Sequence, residues 1–342
     1  MDLTLGQEQE AVRDAIRTFL ADRMPITRVR AVAAEEAGID AAAWREAVGL
    51  GWLALALPES AGGAGYGLPE AMLLFVELGR ALAPGPWLGS VLAADALGGV
   101  AALRDVHAKL LAGTHRVAVI DDPADALGSG TAVKGEARNV ADGGLAGGFL
   151  VVGRKSVRYV GGAGCKITVE PSIDPTRRLA RVVFDGTSAH GLVADAEMVR
   201  RTGTVLASAE AVGVAERALE TSVAYAKVRE QFGKPIGSFQ AIKHRCADMA
   251  VRTEVARSAV TWASVAVRDG LSDADFHVHV AKTLATNAAL TNATDNVQNH
   301  GGMGYTWEAD AHLYLKRARL LEHTFGTRTA HLDTIAAPWR AA

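Results

Sequence analysis

The chain is poor in cysteine: its 342 residues include only Cys165 and Cys246, far apart and without CxxC spacing. That excludes a disulfide framework and a zinc or redox pair. Both are expected as small core residues of a protein in a reducing cytoplasm. Charge of one sign is also scarce. A net charge of −2 does not supply the basic surface that nucleic-acid binding needs. No apolar run reaches the roughly 18 residues that would mark a membrane span. The opening stretch, MDLTLGQEQEAVRDAIRTFL, is acidic and amphipathic and has no signal-peptide apolar run. His244, His300, His312 and His323 stand singly and make no HExxH or other metal-binding spacing.

What is present is apolar content of 49%, enough for a large core and for two or three domains. Three zones differ in pattern. In the first, Val12, Ile16, Phe19 and Leu20 recur at helical spacing. Further on, a helix is expected to begin near Pro69, which suits a first turn, and to end before Pro84. From His115, short Val- and Ile-rich runs (RVAVI, FLVVG, SVRYVG, CKITVE, RLARVVFD) alternate with Gly and Asp, the pattern of a small β domain. The spaces between them are too short for crossover helices, which disfavours a parallel Rossmann sheet. GGLAGG, at 143–148, opens no helix and reads as a loop of that domain. From about Arg200 four long helical patterns with short joints imply a bundle. The expected domains are 1–114 (helical), 115–197 (β) and 198–342 (helical bundle).

Three segments carry a resemblance. YAKVREQFGKPIGSFQAIKHRCADM is similar to the R-x-x-F-G-x-P-I-x-x-F-Q…A-D-M signature of acyl-CoA dehydrogenases. QNHGGMGYTWEADAHLYLKRA resembles their later Q-x-x-G-G-x-G-Y segment, and LGWLALALPESAGGAGYG their N-terminal P-E-x-x-G-G-x-G. The resemblance implies the fold of that family: an N-terminal helical domain, a small middle β-barrel or sandwich, and a C-terminal four-helix bundle. It implies FAD held at a subunit interface, an acyl-CoA substrate, and an electron-transfer flavoprotein or similar acceptor. In the reaction a carboxylate takes the α-proton of the thioester while the flavin accepts hydride from the β-carbon. Carried over, Arg229 reaches the diphosphate of a neighbour's FAD, and Phe232 packs on its adenine or ribose side. Gly233 and Pro235 fix the bend, and Gln240 contacts the same cofactor. Gln298, Gly301 and Gly302 match the second cofactor segment, with His300 near it. The bland readings are a solvated Arg229 beside a core Phe232, and a helix C-cap at HGGMG.

The pattern breaks where the family keeps its base. The Y-E-G-T position is occupied by Phe325 in HTFGT, and phenylalanine accepts no proton. The alternate glutamate position falls at Gly203. Glu322, three residues before Phe325, would share its face only on a continuing helix; its ordinary reading is a partner for Arg319. Glu308 and Asp310 read as a helix start. The T-E-P-x-x-G-S-D and W-I-T segments that cradle the flavin ring are reduced to VIDDPADALGSG and to Val140 and Asp142. A carboxylate beside a reduced flavin would be unfavourable. So the base and the ring cradle are eroded, while the parts that act on a neighbour's FAD survive. This resembles the base-lacking subunit of heteromeric α2β2 actinobacterial acyl-CoA dehydrogenases, whose substrates include bulky, sterol-derived CoA thioesters. The partner would be a related subunit carrying the catalytic glutamate. Two other readings stay open at this point: a self-sufficient homo-oligomer with Glu322 as displaced base, and a flavin-free scaffold or binding protein.

Overall fold

A computed structural model describes residues 3–340. Six helices come first: α1 (Gln7–Arg23), α2 (Ile26–Ala34), α3 (Ala41–Gly49), α4 (Leu68–Ala81), α5 (Trp87–Ala96) and α6 (Arg104–Leu111). Six strands follow: β1 (Val117–Asp122), β2 (Ala132–Val140), β3 (Gly148–Gly153), β4 (Val157–Gly161), β5 (Cys165–Val169) and β6 (Ala180–Leu192). Then come α7 (Ala196–Val228), a small hairpin of β7 (Glu230–Gln231) and β8 (Lys234–Pro235), and α8 (Gln240–Arg268). The last helices are α9 (Ala274–His300), α10 (Ala311–His323) and α11 (Arg328–Arg340). No helix among the described residues is long and apolar enough to cross a membrane.

The chain divides into two compact units. One comprises 27–71 and 84–203 and holds the strands. Its six strands form one curled sheet in the order β1-β3-β4-β6-β2, with β5 also on β6. The long β6 makes this possible: its first part pairs with β2 and β5, its last residues with β4. Phe149, Val151, Val160, Val182 and Phe184 point into the core. All pairings are antiparallel except β1 with β3. Helix α5 lies on β1 because Gly89 permits it: a Cβ there would come within 2.4 Å of the Val117 carbonyl. Strand β2 is not evident from the sequence. Lys134, Glu136 and Arg138 alternate along one face, but Gly135 and Asn139 interrupt the apolar face between them, and two register shifts interrupt its ladder.

The other unit comprises residues up to Ile26, Met72–Ala83 and Thr204 onward. The α7 stretch from Thr204 to Glu216 is buried on every side. Small residues allow this. A Cβ on Gly213 would lie 1.9 Å from the Val76 carbonyl, and one on Gly79 2.0 Å from the Glu210 carbonyl. Helices α4 and α7 therefore touch backbone to backbone. In an exposed helix Gly→Ala stabilises by about 1 kcal/mol. Here Gly213→Ala is expected to do the reverse, lowering the melting temperature by several degrees, because neither backbone can yield. Thermal unfolding of the variant checks the sign.

As expected, α4 carries Pro69 in its first turn and stops short of Pro84. Helix α11 is not evident from the sequence. Of its described side chains only His331 is buried, so it offers no apolar stripe. The cysteines are free, as expected, but they are only half-buried and not core residues.

Candidate functional site

The expected cofactor residues gather at one end of the helical unit. Helix α7 ends at Val228, and the chain turns through the β7–β8 hairpin, with Glu230 opposite Pro235 and Gln231 opposite Lys234. The two turn residues, Phe232 and Gly233, have φ of +54° and +75°. Positive φ at both gives the primed turn whose twist suits a two-residue hairpin. Gly233 adopts it freely; Phe232 does so at a cost of about 1–3 kcal/mol. That ring is nevertheless 91% exposed and meets the Phe239 ring edge-on, with centroids 6.1 Å apart. A strained, solvated aromatic ring at a hairpin tip gains nothing for the isolated fold.

Arg229 stands at the base of this hairpin with an exposed side chain and a fixed backbone. Its N–H donates to the Tyr225 carbonyl and its carbonyl accepts from Ile236 N–H, both at 2.8 Å. Gly237 lets the turn close on α7, since a Cβ there would sit 2.8 Å from the Ala226 carbonyl. Gln240 is the exposed first residue of α8.

The end of α9 lies beside that of α7. The His300 ring stacks on Tyr225 with centroids 4.1 Å apart, and its Nδ1–H donates to the Asn296 carbonyl at 2.8 Å. Asn299 donates to Ser222 Oγ at 2.6 Å and accepts from Arg245 at 2.7 Å. Gln298 is exposed, and Gly301 and Gly302 follow, exposed and open to solvent on the side where a Cβ would project. Gly301, at φ +60° and ψ −140°, needs glycine. A permanently charged planar cation, a solvated aromatic ring and bare backbone suit an anionic ligand that carries an aromatic ring. Sequence reasoning missed Ser222, Tyr225 and Asn299, which hold the two helix ends together. The available signal was a polar residue, Asn299, buried in an alanine-rich helix.

At the base position, α10 ends at His323; Thr324 is extended, and Phe325 and Gly326 have φ of +55° and +97°. The Phe325 ring is buried. Because the helix stops first, Glu322 and Phe325 do not share a helical face. Glu322 instead pairs with Arg319 at 3.1 Å, its ordinary reading. Lys282 Nζ, buried in α9, donates to the Leu321 and Thr324 carbonyls at 2.6 Å, and burial pulls its pKa down to about 7. Gly203 is buried within α7.

In the β unit the acidic residues serve the fold. Asp121 binds Arg200 at 2.9 Å; burial raises its pKa and that guanidinium opposes the rise. Asp122 accepts from Ala126 and Leu127 N–H at 2.8 Å. Asp142, in the left-handed conformation, turns inward to pair with Arg177 at 2.5 Å and also accepts from Arg178 N–H. The Asp142 carboxylate is therefore neutralised inside the unit rather than presented to a ligand. Among the described residues no three His, Cys, Asp or Glu side chains could hold a metal.

Comparison with known proteins defines the class. The family model "Acyl-CoA dehydrogenase, N-terminal domain" matches residues 6–104, and "Acyl-CoA dehydrogenase, C-terminal domain" matches residues 201–338. The chain belongs to the acyl-CoA dehydrogenase family of oxidoreductases, and membership implies flavin binding. Among individual proteins, it is 37% identical over 321 residues to the acyl-CoA dehydrogenase IpdE2 of Mycobacterium tuberculosis, covering 92% of each chain. Among solved structures it is similar to a chain of the Tcur3481–Tcur3483 steroid ACAD, with TM-score 0.88, 29% identity, and coverage of 99% of this chain and 100% of that one. It is also similar to a chain of the ChsE4–ChsE5 complex from Mycobacterium tuberculosis, with TM-score 0.89, 27% identity and full coverage of both.

Proposed function

We propose that this chain is a non-catalytic subunit of a heteromeric FAD-dependent acyl-CoA dehydrogenase, completing the FAD site of a related partner that carries the catalytic glutamate. One observation carries the reading. The base position holds a buried phenylalanine, Phe325, while the exposed Arg229 and the strained, exposed Phe232 extend outward from the same helical unit. Resemblance to chains of the steroid ACAD and the ChsE4–ChsE5 complex supports a heteromeric assembly acting on a bulky, sterol-derived thioester.

The residues fit the diphosphate–adenine end of FAD. Arg229 would offer its planar N–H donors to the diphosphate, Phe232 would pack on the adenine or ribose side, and Gly301 and Gly302 would let backbone approach the cofactor. Gln240 and Gln298 supply polar contacts. When bound, FAD would supply the hydride acceptor for desaturation of the thioester. This chain's residues hold and orient it, and the α-proton goes to the partner's carboxylate. An electron-transfer flavoprotein or similar carrier would reoxidise the complex.

Expression separates this reading from its rivals. Alone, the chain is expected colourless and inactive; co-expressed with a related base-bearing dehydrogenase it is expected to yield a yellow, active complex. A yellow, active homo-oligomer would overturn the proposal. In the complex, Glu322→Gln should leave kcat/KM within about twofold, since its carboxylate pairs with Arg319 and takes no part in the proposed chemistry. Abolished turnover would identify Glu322 as the base.

A further inference from the structure

The strands of the β unit set their side chains in rows across the inner face of the sheet. Val160 of β4 lies opposite Phe149 of β3 and Ala189 of β6, and all three are core residues. One row further out, Arg158 of β4 lies opposite Val151 of β3 and Gly191 of β6. Side chains alternate along a strand, so Arg158 points inward as Val160 does. Gly153 follows on the same face of β3. A Cβ there would come within 2.7 Å of Ser156 Oγ and 2.5 Å of an Asp125 carboxylate oxygen. The apolar core therefore ends in a polar layer that contains Ser156 and Arg158.

The Arg158 side chain is 2% exposed, yet its own chain satisfies little of it. Nη1 lies 3.5 Å from the Gly130 carbonyl, the outer limit of a hydrogen bond. Nε and Nη2 have no hydrogen-bond partner among the described residues, and neither has the buried Ser156 Oγ. Those two nitrogens form the side edge of the guanidinium, where parallel N–H groups match the oxygens of a carboxylate or phosphate. Burial lowers the pKa of Arg158, and the charges of Asp122 and Asp125 oppose that fall. Both acids are engaged with backbone instead: Asp122 with Ala126 and Leu127 N–H, and Asp125 with Arg154 N–H at 2.7 Å. A covered guanidinium without a paired anion is destabilising, and this one stands where the core meets the surface.

The layer has a way in. Gly191, opposite Arg158, is exposed, and nothing lies within 4 Å of where its Cβ would be. The stretch whose carbonyl meets Nη1, 128–132, is exposed as well, and Gly128 and Gly130 keep it slender.

We propose that Arg158 and Ser156 form an oxyanion site at the end of the β-unit core, entered past Gly191, for a carboxylate or phosphate group. The anion accepts two N–H bonds from Arg158 and one O–H bond from Ser156. A shift of the 128–132 stretch admits it, at the cost of one long contact to Gly130. No residue of the site belongs to the cofactor-binding end of the helical unit, so the idea does not depend on the partner-subunit reading.

Thermal unfolding of the full chain in its native assembly tests this. The probes are inorganic phosphate and acetate, each compared with sodium chloride of equal ionic strength at one pH. At least one of them is expected to raise the melting temperature saturably, by about 2–4 °C near saturation. A rise with phosphate alone assigns the site to phosphate groups, and a rise with acetate alone to carboxylates. Arg158→Met removes the charge at similar length. In chloride it should melt no lower than the parent, because a buried cation without an ion pair is gone, and it should lose the anion response. Gly191→Leu keeps the arginine and obstructs the entrance, so it should need roughly tenfold more anion for the same rise. No rise above chloride in the parent chain, or an equal rise in Arg158→Met, would overturn the site. Should Arg158→Met not fold, Gly191→Leu decides: an unchanged half-saturating concentration there refutes the proposal.

Discussion

In a complex with a base-bearing partner, Arg229→Ala is expected to lower FAD affinity about tenfold to a hundredfold, so that the protein loses yellow colour on dilution or gel filtration. The magnitude follows from charge-assisted hydrogen bonds, worth roughly 1.5–3 kcal/mol. Arg229 is exposed, and its fixed contacts are backbone ones that alanine keeps. The fold therefore survives, and the melting temperature of the flavin-free chain should not move. Arg229→Lys keeps the charge but not the planar fork and should recover only part of the affinity. Flavin content per complex, read by absorbance after gel filtration, checks the series. Unchanged flavin in Arg229→Ala would remove this residue from the cofactor site.

The second large effect is on stability. Arg317 on α10 and Glu210 on α7 are both fully buried and bonded at 2.6 Å. Arg317 also reaches the Leu82 carbonyl just past α4, at 3.3 Å. Three helices thus meet at one guanidinium. Arg317→Met strips that cation from a buried carboxylate, and breaking a buried pair this way costs about 3–5 kcal/mol. That is a large share of the ~5–15 kcal/mol that keeps a domain folded. The variant is expected largely insoluble or melting far below the parent. The double change Glu210→Leu with Arg317→Met removes both charges and should recover part of the loss, because the penalty lies in the unpaired charge. A double variant as unstable as the single one would assign the cost to the missing Leu82 contact and packing instead. Nearby, Glu216 shows the same economy on a smaller scale: burial raises its pKa, and Arg257 and Arg80 oppose the rise.

Much of the architecture was legible because local rules and tertiary packing agree there. Pro69 and Pro84 bracket α4, and the Val- and Ile-rich runs mark most strands. Strand β2 was hidden because Gly135 and Asn139 thin its apolar face and two register shifts break its period. Helix α11 was hidden because only His331 of its described side chains is buried, which leaves no apolar stripe to read. The hairpin at Phe232–Gly233 could be foreseen as a rigid bend, but not as a strained turn with a solvated ring, since phenylalanine rarely takes positive φ. The link between Glu322 and Phe325 failed because the sequence permits the helix to continue, whereas it ends at His323, with Thr324 extended and Phe325 at positive φ. Asp142 misled because composition places a carboxylate near a site without telling which way it faces. Its partner, Arg177, is 35 positions away in the chain.

The central claim is a division of labour between two related chains, and flavin stoichiometry tests it most directly. FAD counted against polypeptide in the purified, active assembly should give one flavin for each pair of unlike chains. Active assemblies of this chain alone, holding one flavin per copy, would contradict it.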